Sequence, residues 1–292
     1  MMTAGLLSEK SNRRKTPLKR IVVLTVKYVV MGVIAVFLLF PYYFMVSKSL
    51  MSITEINSVV PTLFPESLKF SNYRIVGEYF GNIVNSLVIC VINGIFVPLT
   101  AMMVAYPYAR HNFPGKKAMF AVMMSTVLLP GAVLSVPTYI MFSAFGLVDT
   151  VASQWVTAFW GGGAMNTFLF MQFMRVLPRS YDEAAVIDGA NKYQIFVHLI
   201  VPLCKNIFIY IAIGTVMARW QDFQGPLIYL VSKEKFTVAV AFYYDFSSNG
   251  ASSMLGHYRM AMAVIMTILP AVLYFAFQNQ MVGSIQIGGI KE

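Results

Sequence analysis

Arg219 and Asp222 are the ionisable side chains whose spacing comes closest to a chemical arrangement in this sequence. They stand three positions apart inside a run that is otherwise apolar from about residue 202 to residue 231. On a helix, a guanidinium and a carboxylate at this spacing can form an ion pair, and ionisable groups within apolar spans usually face a cavity or each other. Two interpretations stay open: the pair lines a polar passage, or it is an internal ion pair that fixes helix packing. Trp220 either shares the lining or anchors the span at a membrane interface.

No other set of residues points to catalysis. The nucleotide-binding pattern G-x-x-x-x-G-K-[ST] does not occur, and the one Gly-Lys pair, Gly115-Lys116, lies in the wrong context for it. The sequence has no Ser-His-Asp arrangement placed for nucleophilic chemistry, and Cys90 and Cys204 do not have the spacing of a metal site or a disulfide framework. We therefore predict no catalytic residue, no metal and no cofactor in this chain.

The segment from Ser180 to Pro202 is a long interruption of the apolar runs and predicts two short helices. Ser180 and Glu183 have the spacing of a capping box at the start of the first helix. Gly189 stands where a residue in the left-handed conformation would end that helix. Small residues around it leave a surface that another body can approach closely, so the segment is typical of a docking element.

The second helix of this segment is predicted to begin at Asn191, which has a capping partner in Gln194. It is expected to run to Pro202, which cannot continue a helix without a kink. The apolar residues near one face of this helix are Ile195, Phe196, Leu199 and Ile200.

The motif in this segment resembles the EAA loop of the permease subunits of ABC importers. The matching positions are Glu183, Ala184, Ala185, Gly189, Leu199 and Pro202. The family often has Ile where Leu199 stands and Leu where Val201 stands, and both differences keep the apolar character. The resemblance extends over nearly the whole chain and is to the carbohydrate-uptake branch, the group similar to the maltose permease G subunit. Its segments are 63–73, 105–110, 166–170, 182–190, 219–230 and the C-terminal QIGGIKE.

The resemblance implies that the loop is a coupling helix, which docks in a cleft of a separate ATPase subunit that binds ATP and Mg. We assign Glu183 as the charged contact with the ATPase, and Ala184 and Ala185 as the surface that packs closely against it. Gly189 is assigned as the turn that sets the angle of the helix, and Asp188 belongs to the same contact set.

The other partners follow from the resemblance as well. Permeases of this branch usually pair with a different homologue, so we expect a heterodimer, an ATPase dimer and an extracytoplasmic binding protein that delivers a saccharide. The nearest subgroup takes up oligosaccharides and polysaccharides and includes permeases for alginate and aldouronates. An acidic saccharide suits Arg219 facing the pathway, and a neutral oligosaccharide is the alternative. Asn166, in the segment 166–170, joins Arg219, Trp220 and Asp222 as a candidate pathway residue.

Composition independently indicates a membrane protein. The chain has 292 residues, of which 58% are hydrophobic and 12% are charged, against roughly 25% charged residues in soluble domains. Each helical crossing of a bilayer needs about 20 apolar residues. The formal net charge of +10 is explained by positive residues on the cytoplasmic side of the membrane and not by nucleic-acid binding.

We predict an all-α membrane protein with six transmembrane helices and a cytoplasmic coupling loop between spans four and five. The predicted spans are 21–46, 83–108, 118–145, 151–174, 202–231 and 260–277. A cytoplasmic basic tail (1–20) precedes the permease domain (21–281, with the coupling loop at 178–202), and a cytoplasmic tail (282–292) follows it. The basic residues of the links place both termini in the cytoplasm, and the location is the inner membrane of a bacterium. The first span is expected to be uncleaved.

Three features of the spans and links carry their own expectations. Pro130 and Pro137 predict a kinked third span, which either lines a pathway or reflects ordinary packing. The glycines at 161–163 predict a close helix contact or a break in the fourth span. Aromatic residues in the outer link 232–258 either contact the binding protein or pack on the outer mouth. They are Phe242, Tyr243, Tyr244 and Phe246.

Two rival classes are weaker. A stand-alone secondary transporter would need an inverted repeat and coupling residues in the membrane, and the spans show no convincing repeat and few carboxylates. A membrane-embedded enzyme would need a catalytic constellation. The sequence therefore favours the pore-forming subunit of an ATP-driven importer, in which ATP hydrolysis belongs to another chain.

Overall fold

The computed structural model describes residues 17–60, 62–248 and 256–283, and within these ranges the chain is helical with no strand. The α-helices are α1 (Pro17–Ser49), α2 (Ile53–Ile56), α3 (Ile75–Glu78), α4 (Phe80–Arg110), α5 (Lys116–Ser125), α6 (Gly131–Ala144), α7 (Ala164–Val176), α8 (Ser180–Ile187), α9 (Lys192–Gln194), α10 (Val201–Leu203), α11 (Lys205–Gln221), α12 (Gln224–Tyr229), α13 (Val238–Tyr243) and α14 (Gly256–Gly283). The greater part of the predicted tails, 1–20 and 282–292, lies outside the described residues, which begin at residue 17 and end at residue 283.

Three helices are long and apolar enough to cross a membrane by themselves: α1, α4 and α14. They differ in burial. In their most apolar windows, 44% of the α4 residues are buried inside the chain, against 11% for α14 and none for α1. Helix α4 is therefore the central element of the bundle, and α1, which packs against α14, presents nearly all of its apolar surface outward.

Two further apolar segments are broken helices. Helix α5 and the turn to Leu128 meet α6 at an angle of 104°. The break falls at Leu129 and Pro130, which both have extended backbone, because a residue before proline avoids the helical region. The second break, of 71°, separates Lys192–Leu203 from Lys205–Gln221. Counting each bent pair as one span, the described residues hold up to five candidate spans.

The predicted fourth span, 151–174, is not one continuous helix. Two short 3-10 turns, Val151–Gln154 and Val156–Phe159, precede a glycine turn, and only Ala164–Val176 forms an α-helix. Gly161, Gly162 and Gly163 all have positive φ, between 65° and 85°, which a right-handed helix cannot contain. The turn is also a close contact, because a Cβ at Gly162 would overlap the carbonyl oxygen of Val97 on α4.

Two clusters of buried side chains fill the bundle along α4. One lies at the end of α4 that precedes Arg110, and its fully buried members include Met102, Phe170, Met174 and Ile200. The other lies at the opposite end, where Tyr79, Trp220, Val238 and Met262 come together. Small residues let the helices approach closely: a Cβ at Gly94 of α4 would lie 2.6 Å from Val216 Cγ2 of α11.

A carboxylate fixes the link between α6 and the following turn to the segment after α12. Asp149 has a positive φ of 54°. Its Oδ1 accepts the N–H groups of Val231 and Ser232 at 2.9 and 2.8 Å, and its Oδ2 accepts the Ser232 hydroxyl at 2.6 Å and Lys235 Nζ at 2.9 Å. The Ser232 hydroxyl and backbone N–H and the Lys235 ammonium hold the pKa of Asp149 well below its usual range, since each stabilises the charged form.

Candidate functional site

A cavity of about 930 Å³ lies between α4, the glycine turn, α7 and α11. Its walls carry aromatic and polar side chains on an otherwise apolar surface, the composition typical of a site for a polar organic solute. The aromatic and polar lining residues are Thr157, Trp160, Asn166, Tyr210, Thr215, Arg219 and Asp222. Three of the four predicted pathway residues, Asn166, Arg219 and Asp222, thus share one cavity.

The ion pair predicted from the spacing of Arg219 and Asp222 is present. Arg219 Nη1 lies 3.4 Å from Asp222 Oδ2, and the side chains are 30% and 25% exposed. Asp222 Oδ1 also accepts the N–H of Gly225 at 3.0 Å, which holds the carboxylate at the break between α11 and α12. The two interpretations of the pair are therefore compatible, because the pair is internal and it also lines the cavity.

Asn166 has a structural role at the cavity wall. Its Nδ2 donates to the carbonyl oxygen of Gly162 at 2.6 Å, and the neighbouring Thr167 hydroxyl donates to that of Gly161 at 2.9 Å. These bonds fasten the start of α7 to the glycine turn, where backbone carbonyls lack helical partners.

Trp160 and Tyr210 are lining residues that sequence analysis missed. The Trp160 side chain is 73% exposed and the Tyr210 side chain is 37% exposed, and both line the cavity. A tryptophan next to three glycines was a usable signal, because a non-helical turn can present an aromatic ring that a continuous helix would pack away. Tyr210 stands within an apolar run and gave no such signal.

Trp220 does not line this cavity. It is 5% exposed, packs in the second buried cluster and donates its indole N–H to the carbonyl oxygen of Met266 on α14 at 2.9 Å. Successive residues of a helix point about 100° apart, which explains why Arg219 and Trp220 serve different surfaces.

The segment after α7 folds into two short helices, as predicted, and Gly189 has the expected left-handed backbone with φ of 82°. The predicted cap at Asn191 is confirmed: its side chain accepts the N–H of Gln194, whose side chain accepts that of Asn191 in return. The predicted cap at Ser180 is wrong, because Arg179 precedes the helix with helical φ and ψ and Ser180 lies inside the first turn without a side-chain cap.

The second helix ends one residue beyond the predicted end at Pro202. It passes through a π-helical turn, Ile195–Ile200, and through Pro202 to Leu203 before the chain bends at Cys204. Its apolar face is buried as expected, since Ile195 and Ile200 are 5% and 0% exposed and Phe196 and Leu199 pack against the same cluster. This burial holds the segment firmly on the bundle.

The outer face of the segment is open. Glu183, Ala184, Asp188 and Gly189 are exposed, and Ala185 is half-buried. Large apolar side chains stand among them with exposed fractions of 49% for Tyr181, 59% for Val186, 85% for Ile187 and 72% for Tyr193. Large apolar residues exposed close together in one segment are a feature of protein-protein contact surfaces. We refer to Tyr181, Glu183, Ala184, Val186, Ile187, Asp188 and Tyr193 as the docking face.

Arg110, at the end of α4, ties α8 to the bundle. Its Nε lies 3.2 Å from Asp182 Oδ2, with side-chain exposures of 5% and 22%, and its Nη1 donates to the carbonyl oxygen of Leu177 at 3.1 Å. No local spacing connects Arg110 with Asp182, so sequence reasoning did not find this pair. The same helix, α4, carries Val97 at the cavity wall.

The four aromatic residues predicted to contact a binding protein have different environments. Tyr243 and Tyr244 are 41% and 37% exposed, whereas Phe246 is 3% exposed and packs against Tyr79 and Phe242. Phe246 therefore belongs to the buried cluster and its ring is not available to an external partner. Phe242 is partly buried and packs against the same cluster.

Long apolar helices, a cavity between them with polar and aromatic side chains, and an exposed segment after α7 are the features of a multi-pass membrane protein. Residues 3–285 match the family model described as "Binding-protein-dependent transport system inner membrane component", and the chain belongs to this family. It is thus an inner-membrane permease subunit of an ABC transporter and not an enzyme.

Curated relatives cover most of the chain. It is 27% identical over 259 residues to the inner membrane ABC transporter permease protein YcjP of Escherichia coli strain K12, with 87% of this chain and 91% of the relative covered. It is 29% identical over 259 residues to the melibiose/raffinose/stachyose import permease protein MelC of Bacillus subtilis strain 168, covering 86% and 91%. It is 27% identical over 265 residues to the arabinooligosaccharides transport system permease protein AraQ of the same organism, covering 87% and 90%.

The fold is also known from solved structures. A bacterial ABC transporter involved in the import of the acidic polysaccharide alginate contains a chain that superposes with a TM-score of 0.77 at 20% identity, covering 91% of this chain and 98% of that one. A bacterial alginate ABC transporter in complex with an alginate pentasaccharide-bound periplasmic protein gives a TM-score of 0.59 at 13% identity, covering 88% and 93%. At these identities the likeness establishes the shared fold.

Proposed function

We infer that this chain is one half of the membrane pathway of an ATP-driven importer for an oligosaccharide or polysaccharide. The observation that carries the proposal is the cavity, in which Trp160, Tyr210 and a small set of polar groups suit the apolar faces and hydroxyl groups of sugar rings. The import permeases for melibiose, raffinose and arabinooligosaccharides that resemble the chain over most of its length support a saccharide substrate.

In this proposal the chain crosses the membrane six times with both termini in the cytoplasm. The crossings are α1, α4, the bent pair α5–α6, the segment 151–176, the segment containing α10 and α11, and α14. Helix α7 alone has 13 residues and would span roughly 20 Å at 1.5 Å per residue, less than the roughly 30 Å of hydrocarbon in a bilayer. The 3-10 turns before it supply the remaining length.

The docking face is proposed to receive a separate ATPase dimer, which binds ATP and Mg. Glu183 provides the charged contact, Ala184 and Ala185 permit close approach, and Asp188 and Gly189 form the turn. Movement of α8 reaches α4 through the ion pair of Asp182 with Arg110, and α4 reaches the cavity at Val97. Closure of the ATPase dimer would thereby reorient the halves of the pathway as rigid bodies.

The remaining partners are proposed on the same basis. A second, distinct permease would complete the pathway, and an extracytoplasmic binding protein would deliver the saccharide to the surface that contains Tyr243 and Tyr244. A neutral oligosaccharide and an acidic polysaccharide such as alginate are the two substrate classes that the relatives and the shared fold suggest.

The test is purification of this chain from its native membrane in mild detergent, with identification of its partners and an ATPase assay. We expect an ATPase and a second permease to co-purify, and a reconstituted assembly to import a saccharide only with ATP and a binding protein. Purification of the chain alone, with solute transport that needs no ATP, would refute the proposal in favour of a secondary transporter.

A further inference from the structure

The cavity contains one positive and one negative side chain, and they compensate each other. Among the described residues that line it, Arg219 and Asp222 are the ones that carry a charge. Their side chains form an ion pair across 3.4 Å while each stays about one quarter to one third exposed. At such a distance in a partly buried site, the field that the guanidinium projects into the cavity is largely cancelled by the carboxylate.

The carboxylate is held in place by a second bond that does not involve Arg219. Asp222 Oδ1 accepts the backbone N–H of Gly225 at 3.0 Å, and a Cβ at Gly225 would lie 2.8 Å from Asp222 Oδ2. A side chain at position 225 would therefore push the carboxylate of Asp222 away from where it now lies. Compensation of Arg219 is consequently built into the α11–α12 turn and does not depend on a mobile surface carboxylate.

We propose that Asp222 is a specificity-determining residue which, by neutralising Arg219, makes this cavity select uncharged saccharides over uronate-containing ones. Trp160 and Tyr210 supply the apolar surface on which a neutral sugar ring packs. The Arg219 guanidinium donates hydrogen bonds to sugar hydroxyls without attracting a carboxylate strongly, because Asp222 repels that carboxylate at close range. The inference rests on the proposed function, since it assumes that the cavity is the saccharide pathway.

The test measures binding to the complete transporter in nanodiscs without its binding protein, so that the selectivity of that protein does not enter. The probes are labelled neutral trisaccharides, maltotriose and raffinose, and a mannuronate trisaccharide, each measured by equilibrium dialysis. Asp222→Asn is the main variant, because an amide oxygen can still accept the Gly225 N–H while the negative charge is lost. The double variant Arg219→Gln/Asp222→Asn removes both charges and serves as the matched control.

We expect the wild-type assembly to bind at least one neutral trisaccharide more tightly than the mannuronate trisaccharide. Asp222→Asn should raise the affinity for the mannuronate probe, relative to the neutral probes, by about tenfold. The double variant should return this ratio to near its wild-type value. Unchanged unfolding temperature and subunit composition of the variants would show that the assembly is intact.

The outcomes separate the two proposals. A wild-type assembly that prefers the mannuronate trisaccharide, or a ratio that Asp222→Asn leaves unchanged, overturns the role of Asp222 and leaves the saccharide pathway standing. Failure of all three trisaccharides to bind the wild-type assembly, when a non-saccharide solute does bind, overturns the proposed function and this inference with it. If Asp222→Asn does not assemble, Asp222→Ser replaces it, because serine also removes the negative charge and keeps an oxygen acceptor; it must show the same rise in the ratio.

Discussion

At the residue scale, the conformation of Gly189 matters more than the space around it. Its φ is 82°, yet no atom lies within 4 Å of a Cβ built on it. A side chain would therefore fit, and the cost of a substitution is backbone strain of about 1–2 kcal/mol for an ordinary L-residue in the left-handed region. The turn between α8 and α9 therefore depends on whether residue 189 can adopt the left-handed backbone conformation and not on the size of its side chain.

We predict that Gly189→Ala lowers ATP-driven uptake by up to roughly 5- to 30-fold, the most that this strain can shift the turn away from its docking conformation. Gly189→Asn is the matched control, because asparagine adopts the left-handed region more readily; it should retain most of the uptake although it is larger. Uptake into proteoliposomes checks both variants. Equal, wild-type uptake by the two would mean that the angle of this turn does not matter for coupling.

Arg110 is the second residue with a large expected effect. Removing one partner of a fully buried ion pair costs about 3–5 kcal/mol, and the cost here should be smaller because the Asp182 side chain is 22% exposed. Arg110→Ala strands Asp182 and also deprives the Leu177 carbonyl of its donor. We predict a clear fall in the unfolding temperature of the purified assembly in detergent.

Arg179→Ala is the control for Arg110→Ala, since Arg179 stands in the same region and is exposed. Surface substitutions of this kind usually change stability by less than about 0.5 kcal/mol. If the two variants unfold at the same temperature, Arg110 does not hold α8 on the bundle.

At the element scale, two glycines of the turn against α4 allow the cost of backbone strain to be measured apart from the cost of steric overlap. Gly162 and Gly163 both have positive φ, but a Cβ at Gly162 would overlap the Val97 carbonyl whereas a Cβ at Gly163 meets nothing within 4 Å. Gly163 has φ of 85° and ψ of 147°, a region that is essentially reserved for glycine, so Gly163→Ala should cost about 1–3 kcal/mol of strain. Gly162→Ala should cost a further 1–3 kcal/mol, roughly, because it also forces the elements apart. Urea unfolding in detergent measures the difference, and equal losses would contradict the close contact.

The link between α6 and the segment after α12 depends on the ionised form of Asp149. Its pKa is lowered in the folded protein, so its contribution to stability is fully present above the ordinary aspartate pKa of about 3.9 and is lost as the pH falls through the lower folded value. We predict that Asp149→Asn lowers the unfolding temperature by a constant amount from pH 8 to pH 5. Below about pH 4 the difference from wild type should shrink, and a difference independent of pH would rule out the charge as its source.

At the scale of the whole molecule, the docking face is the surface through which the chain is proposed to join an ATPase. Ile187 is its most exposed apolar residue, at 85%. An unpaired charge introduced at the centre of a protein-protein interface typically costs about 2 kcal/mol or more of binding free energy. We predict that Ile187→Asp reduces the co-purification of the ATPase at least about tenfold.

Val59→Asp provides the comparison for Ile187→Asp. Val59 is 99% exposed and lies in the link between α1 and α4, which the proposed topology places on the side of the membrane away from the cytoplasm. The substitution should leave ATPase recovery unchanged. Equal loss with both variants would point to general damage of the membrane protein, and equal recovery would place the ATPase contact elsewhere.

The sequence by itself determined the class of protein and the local chemistry of its segments. Apolar runs indicated a helical membrane protein, and the motif around Glu183 and Gly189 indicated the family. Short-range geometry also followed: the left-handed Gly189, the cap at Asn191 and the pairing of Arg219 with Asp222 all depend on residues within a few positions of each other. Such features are set by backbone sterics and helical periodicity, which a sequence carries directly.

Tertiary structure alone decided which distant residues meet. Arg110 pairs with Asp182 across 72 positions of chain and Trp160 joins Tyr210 at one cavity, and no periodic pattern predicts either contact. The same holds for three features that differ from the predictions. Trp220 packs towards α14 and Phe246 is buried. The fourth apolar run breaks into turns at three glycines of positive φ, two of which lie against α4. The hydropathy of a residue indicates whether it is buried. Which neighbour it contacts is decided only by how the helices pack against each other.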